Sequence, residues 1–416
     1  MLRLFWLLII LWILLRGGLL WLGWVGNPDP AARQRVLTYF TPDDIVRGET
    51  YFRHGFWARA VVGYWQMAFL LLGIFSGFFA ALHARCEALA GGGFWGGSLL
   101  FLVAFQALYS LAVLPFSYYL GHICEQEMGF STMTAAQWLW RWAKGFAVST
   151  VVQAAGVLLF LWVVRTFPRA WPVVVPSATT AYGVVLTLLF PVLVTPLFYE
   201  QKPLADGPLK ERILAIAARA GVPVEGIYEI DESRYSKHTN AYFTGLGSRK
   251  RIVLYDTLIK SHTVDEAALI FAHEVGHWQH DHMAKGIALG FLGGLVGCVA
   301  LWWVFPWLQA ETAFRLQPLW SAANVPFFAV VTMVGNLLLA PIEAQISQHF
   351  ERQADRASLD LTGLRQVFIE AEVRLARDNR SHLLPHPWRV FWLFSHPPAI
   401  ERIAMAETWI PPAQPR

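Results

Sequence analysis

The segment of this chain best suited to chemistry is His273-Glu274-Val275-Gly276-His277. On a helix, residues four apart share a face, so His273 and His277 can both point imidazole nitrogens at one ion. Glu274, beside the first of them, is placed to take a proton from a water that the ion activates. The preceding residues, Leu269–Ala272, are apolar or small, which suits a buried helix. The plain alternative is a helix with two incidental histidines. A catalytic zinc needs a third protein ligand and a position for water. Glu343, His349, Glu351 and Asp355 are the downstream candidates. Glu351 and Asp355 are one turn apart on a helical stretch, Gln345–Leu361. There Glu351 can bind metal while Asp355 accepts the N–H of a ligating histidine. Equally, both can form solvated helix pairs with Arg352 or Arg356. His280 and His282 read as surface histidines near a helix end.

Elements must hold these groups, and the composition says which kind. Of 416 residues, 56% are hydrophobic and only 15% charged, with 20 Trp and a mean hydropathy of +0.42. A soluble domain carries roughly 25% charged residues. This excess of apolar side chains excludes an ordinary soluble enzyme and a disordered chain, and points to an integral membrane protein. The net charge of +4 is explained by positive loops, and no basic-aromatic stripe argues for nucleic acid. Cys86, Cys124 and Cys298 have neither disulfide-framework nor thiolate-metal spacing.

Apolar runs predict seven spans: Leu4–Val25, Ala60–His83, Phe94–Leu120, Gly145–Val164, Pro172–Phe198, Gly286–Leu308 and Ser321–Gln345. The first reads as a retained span rather than a cleaved signal, and Arg16 within it must face protein or snorkel to an interface. Arg33, Arg35, Arg47, Arg53, Arg59, Arg141 and Lys144 lie before even-numbered spans, with further cations between Lys202 and Lys285 and after Arg352. The opposite loops hold only Arg85, Arg165, Arg169 and Arg315. The bias predicts an outside N-terminus and a cytoplasmic C-terminus. The chain therefore divides into 1–198 with spans one to five, a polar segment 199–285 that carries the histidine pair, spans six and seven in 286–345, and a second polar segment 346–416 that carries Glu351. Within 199–285, Leu209–Ala220 has helical spacing. Gly226–Ile230 and Arg251–Tyr255 read as short strands around a turn at Gly245-Leu246-Gly247.

With these motifs the chain resembles the zinc-dependent CAAX prenyl protease family of integral membrane metalloproteases. Beyond His273–Trp278 and His282, the resemblance rests on Thr195-Pro-Leu-Phe198, Leu204–Leu209 and Ser236-Lys-His-Thr-Asn240-Ala-Tyr-Phe243-Thr-Gly245. It also rests on Arg251–Leu258, Phe350-Glu351-Arg-Gln-Ala-Asp355, Ser395-His396-Pro-Pro398 with Glu401-Arg402, and Glu127-Met-Gly-Phe130. The resemblance covers nearly the whole chain.

It implies a mostly α multi-pass fold, with seven transmembrane helices around an intramembrane chamber. A gluzincin-like protease domain of helices and a small β-sheet then lies on the cytoplasmic side. One Zn²⁺ per chain is implied on His273, His277 and Glu351, with Glu274, Asp355 and His396 catalytic. His396 would stabilise the oxyanion, and Asn240, Ala241, Tyr242 and Phe243 would line an edge strand that pairs with substrate backbone. Tyr242 and Phe243 also fit the plainer pattern of a half-buried strand. The partners implied are a peptide or protein substrate, lipidated or not, and membrane lipid, with the enzyme monomeric. An Arg-rich, Lys-poor and Trp-rich composition leans towards a bacterial inner membrane, where a prenylated substrate is less secure than peptide hydrolysis. The alternatives are a shorter quality-control membrane protease and a non-catalytic scaffold or transporter.

Overall fold

A computed structural model describes residues 1–244 and 251–412. Seven of its helices are long and apolar enough to cross a membrane: Leu2–Val25, Pro42–Phe75, Phe94–Glu127, Ala135–Thr166, Trp171–Phe198, His282–Gln309 and Ala322–Thr362, here spans 1 to 7. Hydropathy locates the apolar middle of each, while the helices run on into polar sequence at their ends. Span 7 shows this best. Its 41 residues extend about 60 Å, twice the ~30 Å apolar thickness of a bilayer. The surplus is the segment that carries Glu351 and Asp355. What the sequence divides into a span and a separate helix is one continuous rod.

Span 2 departs from expectation. The run Ala60–His83 is not one helix: it stops at Phe75, and a second helix, Phe78–Leu89, follows. Gly77 between them has φ +78°, a left-handed conformation that ends a helix and that glycine adopts without strain. At its other end span 2 begins at Pro42, behind a capping box in which Thr41 and Asp44 exchange backbone hydrogen bonds. Arg16 faces protein. Its Nη2 donates to the Arg59 carbonyl at 2.9 Å, and the guanidinium lies near the Trp12 and Tyr64 rings.

The spans form a ring. Span 2 packs against spans 7 and 3, span 3 against 4, span 4 against 5, and span 5 against 6, while span 1 lies on span 7. At one end an apolar cluster closes the ring, with Phe5, Leu70, Phe101, Leu161, Phe327 and Val330 among its buried members. Further along the spans the packing thins, and Val151, Leu188, Leu292 and Val296 are exposed. At the opposite end sits the second unit, built on the 199–285 and 346–416 segments. Its helices are α1 (Pro208–Arg219), α2 (Val264–Gln279), α3 (Arg365–Asp378), α4 (Pro387–Leu393) and α5 (Ala399–Thr408).

A four-stranded sheet completes this unit: β1 (Gln201–Pro203), β2 (Gly226–Ile230), β3 (Ala241–Thr244) and β4 (Arg251–Tyr255), in the order β1-β2-β4-β3. The two strands anticipated from sequence have their expected bounds, but they are parallel neighbours, not arms of one turn. The hairpin partner of β4 is β3, antiparallel with Ala241 opposite Leu254, and the turn at Gly245–Gly247 lies outside the described residues. Alternation along β4 sends Ile252 and Leu254 into a core with Phe271, Ala272 and Val275 of α2. Val36 and Phe40, between spans 1 and 2, and Ile45 in the first turn of span 2 pack with Leu359 and Ile403. Phe130 and Thr132, between spans 3 and 4, bond to Lys237 and Tyr235. The loops before spans 2 and 4 therefore lie on the same side as this second unit.

Candidate active site and metal centre

Helix α2 begins with a capping box. Thr263 accepts from the Glu266 amide, and the Glu266 carboxylate accepts from the Thr263 amide at 2.7 Å. The helix continues almost directly into span 6 and packs lengthwise on the far half of span 7, so it bridges the ring between these two spans. Closest approach is at Gly276. A Cβ there would lie 2.8 Å from the Ala354 Cα and 2.9 Å from its carbonyl oxygen. Only glycine lets the two helices meet this closely, and that proximity brings Glu351 to the two histidines.

His273 Nε2 lies 3.1 Å from His277 Nε2 and 3.3 Å from Glu351 Oε2, and His277 Nε2 lies 3.4 Å from Glu351 Oε1. Ligands of a tetrahedral ion at zinc-like bond lengths are separated by ~3.3 Å, so this triangle has the required size. Glu351 Oε2 is also buried without a hydrogen-bond partner, a cost that a cation removes. The residues therefore fit a small divalent metal. The electrostatics agree. Burial disfavours charge on His273, but Asp355 and Glu351 outweigh it and push the ring up to about 10. Burial, then the His273 charge, pushes His277 down to about 4. The pocket thus sets two buried imidazoles of opposite shift beside the Glu351 and Asp355 carboxylates, a donor set that suits a cation.

A further layer fixes the ligands. His273 Nδ1 donates to Asp355 Oδ1 at 2.8 Å. Asp355 in turn takes both Nε, at 2.8 Å, and Nη2 of Arg402, whose Nη1 pairs with Glu372 at 2.9 Å. Burial works against the charge on Arg402, but Asp355 and Glu372 overcome it and raise its pKa further. His282 corrects the surface reading: it is buried, stacked on Phe350 at 4.1 Å, with Nδ1 2.9 Å from His277 Nδ1 and Nε2 2.8 Å from Gln353 Oε1. Sequence reasoning missed Arg402 and His282 as holders of the ligands. Their spacing in the matched segments was the only signal, and spacing does not reveal a contact across two helices.

His396 comes from the loop between α4 and α5. Gln348 of span 7 anchors that loop by donating to the Val390 and Phe394 carbonyls at 3.0 and 2.9 Å. His396 Nε2 lies 3.3 Å from Glu351 Oε2, and Ser395 Oγ is 2.8 Å from His396 Nδ1. Burial, the largest influence, lowers the His396 pKa, against an opposing pull from Glu351. Glu274 is half-buried on α2, between the two histidines in sequence. Asn240 is exposed at the start of β3, where its side chain accepts from the Ala241 amide at 2.8 Å. Ala241 is buried towards α2. Tyr242 lines a cavity of about 810 Å³ on the other face of the sheet, with Tyr255, Trp138, Arg141 and Glu232. The backbone of Phe243 continues the strand, and its side chain lies outside the described residues. The structure thus gathers His273, His277, Glu351, Asp355 and His396 into one cluster, with β3 beside α2.

Two histidines and a carboxylate on crossed helices, at the mouth of a membrane-spanning ring, define a membrane metallopeptidase. Comparison with known proteins agrees. Residues 203–410 match peptidase family M48, and residues 30–200 match the CAAX prenyl protease N-terminal domain with five membrane helices. CAAX prenyl protease 1 of Saccharomyces cerevisiae is 31% identical over 326 residues, covering 74% of this chain and 71% of that one. An uncharacterized metalloprotease of Bacillus subtilis is 28% identical, with 74% and 72% covered. The crystal structure of S. mikatae Ste24p superposes with a TM-score of 0.80 at 25% identity, covering 95% of this chain and 98% of that one. The chain belongs to peptidase family M48, as an integral membrane metalloendopeptidase of the CAAX prenyl protease type.

Proposed function

We propose that this chain is a zinc endopeptidase that hydrolyses membrane-associated C-a-a-X-type peptides, with its protease unit at the cytoplasmic face. The observation that carries the reading is the His273–His277–Glu351 triangle at ligand separations, backed by Asp355. A zinc ion held by these three residues supplies a Lewis acid that acidifies water and polarises the scissile carbonyl. Glu274 takes the proton of the attacking water and delivers it to the leaving amine. Asp355 keeps the His273 tautomer that leaves Nε2 free for metal. The Nε2–H of His396 is aimed at the charge that develops on the carbonyl oxygen. The substrate lies extended along the free edge of β3, beginning at Asn240, and gains register from backbone hydrogen bonds.

The 199–285 and 346–416 segments act as one protease unit, in a chain that we read as a monomer. The cations clustered on the protease side support an outside N-terminus, and the Arg-rich composition supports a bacterial inner membrane. The deciding experiment is cleavage of farnesylated and unfarnesylated C-a-a-X peptides by the purified protein, beside metal analysis. Release of the terminal tripeptide with about one zinc per chain upholds the reading. Intact peptides and no zinc overturn it.

A further inference from the structure

Two residues before Asn240, on the approach to β3, stands His238, a group the hydrolytic chemistry does not use. Its Nε2 lies 3.1 Å from Glu125 Oε2 and its Nδ1 lies 3.0 Å from Asn379 Oδ1. Asn379 turns its Nδ2 towards Thr239 Oγ1 at 3.4 Å, and Tyr51 donates to the other Glu125 oxygen at 2.7 Å. Both ring nitrogens therefore face acceptors, and only the doubly protonated imidazolium satisfies both. The ring is stacked on Phe130, 4.2 Å between centroids.

Around this ring the chain is fastened on both sides. On one side Lys237 N–H donates to the Phe130 carbonyl at 3.0 Å, and Thr132 N–H to the Tyr235 carbonyl at 3.2 Å. On the other, Thr257 Oγ1 donates to the His238 carbonyl at 2.8 Å and Tyr255 N–H to the Asn240 carbonyl at 3.1 Å. Glu125 lies in the last turn of span 3, Tyr51 belongs to span 2, and Asn379 follows α3 of the protease unit. One side chain thus ties the approach to β3 to two membrane spans and to the second protease segment.

We propose that His238 is a positioning residue: as an imidazolium bridging Glu125 and Asn379, it locks the start of β3 in the place where the strand receives substrate backbone. This rests on β3 being the substrate edge. The charged groups facing the cluster are Glu125 from span 3, Glu232 ahead of β3, Arg380 after α3, which lies over Phe130 at 5.1 Å, and Arg59 of span 2, whose charge acts on Glu125. The hydrogen bond that His238 donates to Glu125 is the largest influence on its pKa and raises it above 6.5. Burial opposes this, and Asn379 and Glu232 reinforce it. With a raised folded-state value, the lock is complete below about 6.5, and it is lost as pH rises through the folded value.

The test is peptide affinity in full-length protein carrying Glu274→Gln, which cannot turn over. A fluorescein-labelled farnesylated C-a-a-X peptide is titrated from about pH 6 to pH 9, a range spanning histidine ionisation. Zinc content is measured for each protein. In this background affinity is expected to fall above the ordinary histidine range. His238→Gln should weaken binding about tenfold at the acid end and flatten the profile. Glu125→Gln should retain binding at the acid end but move the loss of affinity to lower pH. That shift is one which damage to packing alone does not produce, and it decides the matter if His238→Gln loses its zinc. If Asn240→Ala weakens binding while His238→Gln and Glu125→Gln match the background at every pH, the lock is wrong and the substrate edge stands. If no variant changes affinity or profile, the edge reading falls and the lock with it.

Discussion

The candidate metal centre and the proposed substrate edge lie side by side but are built by opposite means. His273, Glu351, Asp355 and Glu372 are buried, Arg402 is half-buried between the last two carboxylates, and the charges of this group answer one another across packed helices. The edge strand is four residues long, Asn240 at its start is exposed, and its approach is held by separate hydrogen bonds to span 3, β4 and a neighbouring loop. One region is rigid because packing and buried charge leave it no alternative. The other is positioned by contacts that water can replace. An enzyme that must hold a cation at fixed distances and also admit a variable peptide has reason to use both. Damage to the first should abolish the reaction or the fold, and damage to the second should mainly loosen substrate.

The largest separation between the two regions should come from Glu274→Gln. The variant is expected to keep its metal and its peptide affinity and to lose at least ~10³-fold in kcat, in line with removal of a general base that also serves as proton donor. Next is His396→Ala. Loss of one donor to the developing oxyanion should cost ~10²-fold in kcat with KM nearly unchanged, measured by steady-state cleavage. Arg402→Met attacks the metal centre from behind. It leaves Asp355 and Glu372 buried without their counter-charge, so thermal unfolding should show a loss of about 3–5 kcal/mol. Metal affinity should fall ~10–100-fold as the His273 ring loses its fixed partner. Gly276→Ala drives a methyl group into Ala354 and should cost about 1–3 kcal/mol, with weaker metal binding, because the crossing helices must separate. The smallest effect belongs to the edge: Asn240→Ala should raise KM several-fold while leaving kcat and metal content alone, by the loss of about one hydrogen bond. If Asn240→Ala lost metal, or Gly276→Ala raised only KM, the contrast between the regions would break.

The contrast also explains what the sequence disclosed. The histidine pair is local: four residues on one helix suffice to place two rings on one face, and the strands Gly226–Ile230 and Arg251–Tyr255 announce themselves by alternation. Seven apolar runs are legible because a bilayer demands helices of a fixed minimum length. What could not be read is tertiary. No spacing rule says that Arg402 reaches Asp355 across 47 positions, that His282 turns inward to meet His277, or that His238 meets Glu125 and Asn379. The choice between Glu351 as ligand and Glu351 as a solvated partner of arginine was open on spacing, and the close approach at Gly276 resolves its position. The limits of span 2 were misjudged because hydropathy averages over Gly77, a residue whose backbone conformation, not its polarity, ends the helix. The extension of span 7 was cut for the converse reason: polarity rises after Gln345 while the helix continues to Thr362.

The central claim is that His273, His277 and Glu351 hold one zinc on which Glu274-dependent hydrolysis relies. The most direct test is to measure zinc content and peptide cleavage together on the wild-type, Glu274→Gln and Glu351→Gln proteins. The expected result is about one zinc with cleavage, about one zinc without cleavage, and little zinc without cleavage, respectively. Cleavage at the wild-type rate by Glu274→Gln, or full zinc in Glu351→Gln, would contradict the account.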